Sequence, residues 1–186
     1  MRIRALVCGL ILFGAVPPAK AQELPPLEVS GGYSLLRVWR GLGVGLADTE
    51  QTLHGWYADA AATQTAVLSL VAQAAGNYGT FRRVNVRAHE FAAGARLNRR
   101  MGGRVMFGQA LIGVVHHRPY GTERATNATF HAGGGLRLGA ADTIDLLVGA
   151  DYEIIFTGGS HLLEPEGGDR THGFRLTVGA AFPIGG

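Results

Sequence analysis

From Ile144 to Phe156 the chain changes character at every residue. Ile144, Leu146, Val148, Ala150, Tyr152, Ile154 and Phe156 fall on one face; Asp145, Leu147, Gly149, Asp151, Glu153 and Ile155 fall on the other. A period of two, with carboxylates confined to one side, is the pattern of a β-strand lying between two different surroundings, and a helix cannot present it. The final stretch repeats it, with Phe174, Leu176, Val178, Ala180, Phe182 and Ile184 set against Arg175, Thr177, Gly179 and Ala181. Earlier, Phe130, Ala132, Leu136 and Leu138 oppose Thr129, His131 and Arg137.

Extending this reading places eight strands near 27–36, 52–61, 65–76, 84–98, 103–117, 127–139, 142–156 and 171–184. Val105 to Val115 is apolar on both faces apart from Gln109. Ala60 to Phe81 is uncharged and alanine-rich, which also suits a helix, but Gln64, Gln73 and Gly76-Asn77-Tyr78-Gly79 argue against a spanning one. Of the 29 glycines, many sit inside apolar stretches, as in Gly133-Gly134-Gly135. That placement favours tightly curved strands over helices.

Residues 1–21 read as a secretory signal peptide. Arg2 and Arg4 precede an apolar stretch from Ala5 to Val16, and Ala19-Lys20-Ala21 is a small-x-small cleavage site. The apolar stretch is too short for a spanning helix. Cys8, the one cysteine, lies within it, so residues 22–186 offer no disulfide, thiol nucleophile or thiolate metal site. Without Arg2, Arg4 and Lys20, the 17 basic residues fall by three and equal the 14 acidic ones, so the formal net charge of +3 becomes zero. The basic balance of the whole chain therefore gives no argument for nucleic-acid binding. Residues 22–186 are one domain by length.

Connections alternate in length. Those near Ala62–Gln64, Arg99–Gly102 and Ala140–Asp142 are short, while Arg37–Gln51, Asn77–Arg83, Arg118–Thr126 and Thr157–Arg170 are longer and more polar. Transmembrane barrels have this asymmetry, with short periplasmic turns and longer extracellular loops. Trp56, Phe130, Tyr152, Phe156 and Phe174 lie toward the long-loop ends, Phe107 and Phe182 toward the short-turn ends, as two aromatic girdles would. The charged face is then the lumen and the apolar face meets lipid; a water-soluble barrel would invert them.

The terminal stretch Thr177-Val-Gly179-Ala-Ala-Phe182-Pro-Ile184 resembles the C-terminal signature read by the outer-membrane barrel assembly machinery. With Gly55-Trp56, Gly76-Asn-Tyr-Gly79, Glu90-Phe-Ala-Ala-Gly94-Ala-Arg96, Phe107-Gly-Gln-Ala-Leu-Ile-Gly113, Gly133-Gly-Gly-Leu136 and Ala150-Asp-Tyr152, the chain resembles the eight-stranded outer-membrane β-barrel domain family, a relative of the OmpA transmembrane domain and OmpX. Two departures are Gly185-Gly186 in place of a terminal aromatic, and Pro183, which removes a ladder donor. The resemblance implies a membrane scaffold and brings no chemistry with it.

The candidate site is a lumen charge network: Asp59 and Glu90 with Arg96, then Arg137 and Asp145, then Asp151 and Glu153 with Arg175. A three-residue turn at Ala140–Asp142 would set Arg137 opposite Asp145, and Glu153 near Arg175. An eight-stranded barrel is just wide enough to be filled by side chains, and buried charges must pair. A plugging network is therefore favoured over a gated ion path. The histidines, His54, His89, His116, His117, His131, His161 and His172, all fall toward the long-loop side. They suit a surface metal or pH-sensitive cluster, or simply a tolerant rim; adjacent His116 and His117 face opposite ways in a strand and cannot chelate together. Glu164-Pro-Glu166-Gly-Gly-Asp169 lacks calcium-loop spacing, Gly41-Leu-Gly43-Val-Gly45 lacks a strand–helix setting, and Ser160-His161 has no acid partner for a triad.

The expectation is an all-β protein: a signal peptide over 1–21, then an eight-stranded antiparallel up-and-down transmembrane β-barrel over 22–186 in a bacterial outer membrane. Its role is structural or loop-presenting and not enzymatic, with no catalytic, cofactor or metal residues. Expected partners are outer-membrane lipid and lipopolysaccharide and, through the last strand, the assembly machinery; the expected state is a monomer that binds no nucleic acid. A small porin-like pore and a periplasmic lipocalin-like barrel are the alternatives.

Overall fold

The computed structural model describes residues 25–39, 50–81, 84–117, 125–141, 144–156 and 170–184. All of its regular structure is strand: β1 (Leu27–Trp39), β2 (Gln51–Thr63), β3 (Leu68–Phe81), β4 (Val84–Met101), β5 (Arg104–His117), β6 (Ala125–Ala141), β7 (Ile144–Phe156) and β8 (Arg170–Ile184). Each pairs antiparallel with the next, and β1 pairs with β8 from Leu27 opposite Ile184 to Trp39 opposite His172. The sheet is a closed barrel in sequence order. Closure leaves no strand edge unpaired.

Six of the strands are longer than sequence periodicity indicated, while β5 and β7 begin later than expected. Residues 77–81 of the expected long connection Asn77–Arg83 extend the β3–β4 ladder, in which Asn77 faces Ala88 and Phe81 faces Val84; 82 and 83 fall outside the described residues. Asn77 turns inward, is buried, and accepts a hydrogen bond from Ser34 Oγ at 3.1 Å, so its amide is satisfied inside the barrel and not by a loop. The β2–β3 turn lies later than expected. Thr65 Oγ1 accepts the Leu68 amide at 3.1 Å, and Gln64 N donates to Leu68 O at 2.8 Å, which delays β3 until residue 68. Gly102, at φ 62°, makes the tight β4–β5 turn in a backbone region that disfavours a Cβ.

The two faces differ sharply in chemistry. Every carboxylate within the strands lies on the inward face: Glu28, Asp59, Glu90, Asp145, Asp151 and Glu153. Outward positions carry arginine only near strand ends, at Arg37, Arg87 and Arg170 on one rim and Arg99 and Arg104 on the other. Between the rims the wall is apolar; Phe91 and Ile112 are 63% and 69% exposed.

One aromatic departs from its expected place. Phe107 is not part of an outer girdle but points into the lumen, buried, with the Arg96 guanidinium 4.6 Å from its ring centre. Glycine makes the room: a Cβ on Gly135 would come within 2.7 Å of the Phe107 ring. Because Val105–Val115 is apolar on both faces, alternation there did not reveal which parity turns inward.

Candidate functional site

The lumen is filled in layers. At the loop end, Leu36, Val38, Leu53, Val86, Ala88, Val115 and Ile155 form a buried apolar cluster. These residues come from the strand ends at this rim.

Beneath it lies a charged cluster centred on Arg175 of β8. Arg175 Nη1 and Nη2 donate to Glu90 Oε1 and Oε2 at 3.1 and 2.5 Å, and Nη2 also donates to Glu153 Oε2 at 3.0 Å. Gln73 Oε1 sits 3.5 Å from Nη1. His131 Nε2 lies 2.9 Å from Glu90 Oε1. All of these side chains are buried, and such charges are tolerable only when their hydrogen bonds are returned by partners. The planar fork of arginine suits this bidentate geometry.

A second cluster lies nearer the short-turn end. Arg96 Nη2 donates to Asp59 Oδ2 at 2.8 Å, and its Nε and Nη2 donate to Gln109 Oε1 at 3.1 and 2.9 Å. Gln109 Nε2 donates onward to Asp151 Oδ1 at 3.0 Å, and Ser30 Oγ donates to Asp59 Oδ1 at 2.8 Å. Gln109 thus links an arginine to a carboxylate that no arginine pairs directly.

At the short-turn mouth, Arg137 pairs closely with Glu28, and Arg96 Nη1 stands 3.8 Å from Glu28 Oε1. Pro25, Thr63, Ser69 and Asn98 complete a small pocket there. The expected Arg137–Asp145 partnership changes form. Gly139, not Arg137, faces Asp145, and Arg137 faces Leu147, because β6 runs on to Ala141, past the start of the turn expected at Ala140. Asp145 reaches Arg137 Nε only diagonally, at 3.6 Å, and is partly exposed. Likewise Arg175 faces Asp151 in register yet bonds Glu153, its diagonal neighbour.

The candidate residues from the sequence therefore fall into these three groups, with Asp145 at the margin. Reading the sequence missed Glu28, Gln73, Gln109 and His131. Parity alone would have found Glu28, which shares an inward face with Ser30 and Ser34. Glu90, His131 and Glu153 place ligand-type atoms within 4.8 Å of one another. Arg175 already bridges their carboxylates, supplying the positive charge that a cation would bring.

The other histidines divide by parity. His117 turns inward, whereas His54, His89, His116 and His172 lie on the outer wall near the loop end. His161 falls outside the described residues, as do Ser160, Gly41-Leu-Gly43-Val-Gly45, Glu164-Pro-Glu166-Gly-Gly-Asp169 and the expected signal segment.

No protein-family model matches the chain, and no curated protein does either. Solved structures match in fold. Neisserial surface protein A (NspA) superposes with a TM-score of 0.66 at 10% identity, over 86% of this chain and 97% of its own. Ail, the attachment invasion locus protein of Yersinia pestis, does so with a TM-score of 0.53 at 15% identity, over 86% and 98%. The fold is that of the eight-stranded outer-membrane β-barrels.

Proposed function

We propose that the chain is a bacterial outer-membrane barrel, delivered by an N-terminal signal peptide over residues 1–21, whose role is to anchor in the envelope and present its longer loops outside. The observation that carries this reading is the sorting of charge: every strand carboxylate faces the lumen, and the wall between the rims is apolar. A water-soluble barrel would turn the carboxylates outward and would not leave Phe91, Ile112 and Val178 bare to water. The fold shared with outer-membrane barrels supports the same reading.

The barrel works in this reading as a scaffold without catalysis. Its lumen is plugged by the paired charges and by the apolar cluster above them, and it passes no solutes; an interior of this strand number is about the width that side chains fill. It acts as a monomer whose partners are outer-membrane lipid, including lipopolysaccharide, and, during biogenesis, the assembly machinery that engages β8.

Gel mobility of the protein from washed outer membranes, unboiled and boiled, tests the placement. A heat-dependent shift in the membrane fraction is expected. A protein recovered from the soluble periplasm without such a shift would return the faces to the lipocalin-like reading. Planar-bilayer recordings test the plug: steps of stable conductance would replace it with the porin-like alternative.

A further inference from the structure

The outer wall at the loop rim carries a compact patch on β2, β3 and β4. His54, Tyr78 and Arg87 stand opposite one another in one row of the sheet, and Trp56, Gly76 and His89 in the next. Neighbouring strands lie about 4.8 Å apart, so each row spans roughly 10 Å, the scale of a lipid headgroup.

The patch is internally organised. Trp56 lies across Gly76, where a Cβ would come within 2.6 Å of the indole nitrogen. From there Trp56 Nε1 donates to Tyr78 Oη at 3.4 Å, and Tyr78 Oη meets His89 Nε2 at 3.1 Å. On the adjoining strand, Tyr33 Oη pairs closely with His54 Nδ1. The second ring nitrogens, His54 Nε2 and His89 Nδ1, make no hydrogen bond among the described residues. Arg87 is exposed and makes no ion pair among the described residues. The acids nearest in sequence, Glu90 and Asp59, are buried in the lumen, and the exposed Glu50 is engaged by Arg37.

The same three residue types recur across the barrel. Tyr152 Oη meets His172 Nδ1 at 2.8 Å, and Arg170 precedes His172 by one intervening residue, as Arg87 precedes His89.

We propose that the patch formed by His54, Trp56, Tyr78, Arg87 and His89 is a binding site for the phosphate groups of a phosphorylated glycolipid in the surrounding leaflet. The site rests on the membrane reading above. Its arginine is exposed and unpaired among the described residues, two imidazoles stand beside it, and its strands expose no carboxylate outward, which is the complement of a phosphomonoester. Trp56 and Tyr33 present amphipathic rings to the glycolipid at the level where such rings are favoured.

The test uses the full folded barrel in detergent, titrated by native mass spectrometry with diphosphorylated lipid A and with the same glycolipid stripped of its phosphates. The phosphorylated form is expected to bind at least about tenfold more tightly. Arg87→Gln and His89→Gln are each expected to narrow that gap severalfold, while Arg104→Gln on the opposite rim leaves it unchanged. Arg87 is exposed, so its variant folds even where the histidine variant does not. Equal binding of both glycolipids, or an Arg87→Gln barrel that keeps the full gap, would overturn the site. Inorganic phosphate competing as strongly as the glycolipid would overturn its assignment to lipid. A heat-modifiable membrane barrel that ignores the phosphates would sink this inference alone, whereas absence of the heat shift sinks the membrane reading beneath it.

Discussion

Arg175 of β8 grips Glu90 of β4 across the lumen by two parallel hydrogen bonds, from positions 85 residues apart in the chain. The same guanidinium holds Glu153. Removing it strands two buried carboxylates without their cation. Arg175→Met is expected to destabilise the barrel by about 3–5 kcal/mol in urea unfolding from detergent. Adding Glu90→Gln and Glu153→Gln to that variant should recover a large part of the loss, because the penalty lies in the unpaired charges. If the triple variant is as unstable as the single one, the loss belongs to packing and not to charge.

The mouth pair makes a finer distinction. Arg137 is matched by Glu28 directly and by Asp145 only diagonally, from a partly exposed carboxylate. In double-mutant cycles the coupling of Arg137 with Glu28 should exceed that with Asp145, the latter staying below about 1 kcal/mol. A reversed order would mean that Asp145 is the principal partner after all.

Glycine placement gives a contrast within one strand. A Cβ on Gly135 would lie 2.2 Å from Val148 O and 2.7 Å from the Phe107 ring, whereas one on Gly139 would meet nothing nearer than 3.5 Å. Gly135→Ala is expected to cost about 1–3 kcal/mol through forced backbone shifts, and Gly139→Ala to be near neutral. Thermal unfolding of the two variants compares them; equal midpoints would deny that the lumen at Phe107 is tightly packed.

The lipid-facing wall can be probed at Ile112. In a bilayer, Ile112→Arg should cost about 2–4 kcal/mol, since a charge on the outer face near the midplane has no partner. In a water-soluble barrel the same change would be harmless or helpful. Folding yield into vesicles, read by the unboiled gel shift, separates the two.

Much of this architecture is written in parity. Ile144–Phe156 and Phe174–Ile184 announce both strand and face, and the inward set of Asp151, Glu153 and Arg175 follows directly. What parity leaves open is where a long side chain goes once inside. Arg175 reaches Gln73, 102 residues away, and Arg96 reaches Asp59, because lumen contacts run across the barrel and not along the ladder. Likewise β6 runs on to Ala141, through the turn expected at Ala140, so Arg137 faces Leu147 and not Asp145. Gly76-Asn77-Tyr78-Gly79 reads as a loop in sequence, since its glycines suggest a turn. In the fold, Gly76 is the floor under Trp56 and Asn77 is a lumen amide.

The seam between β1 and β8 has a kinetic meaning. Seven of the ladders join neighbours in sequence and can form as local hairpins, but Leu27 must find Ile184 across nearly the whole chain. Loop-closure entropy makes that contact slow to form. Until it does, β1 and β8 are open edges able to add foreign strands. The time spent with that seam open, more than the stability of the finished cylinder, then sets how long the nascent chain needs a chaperone.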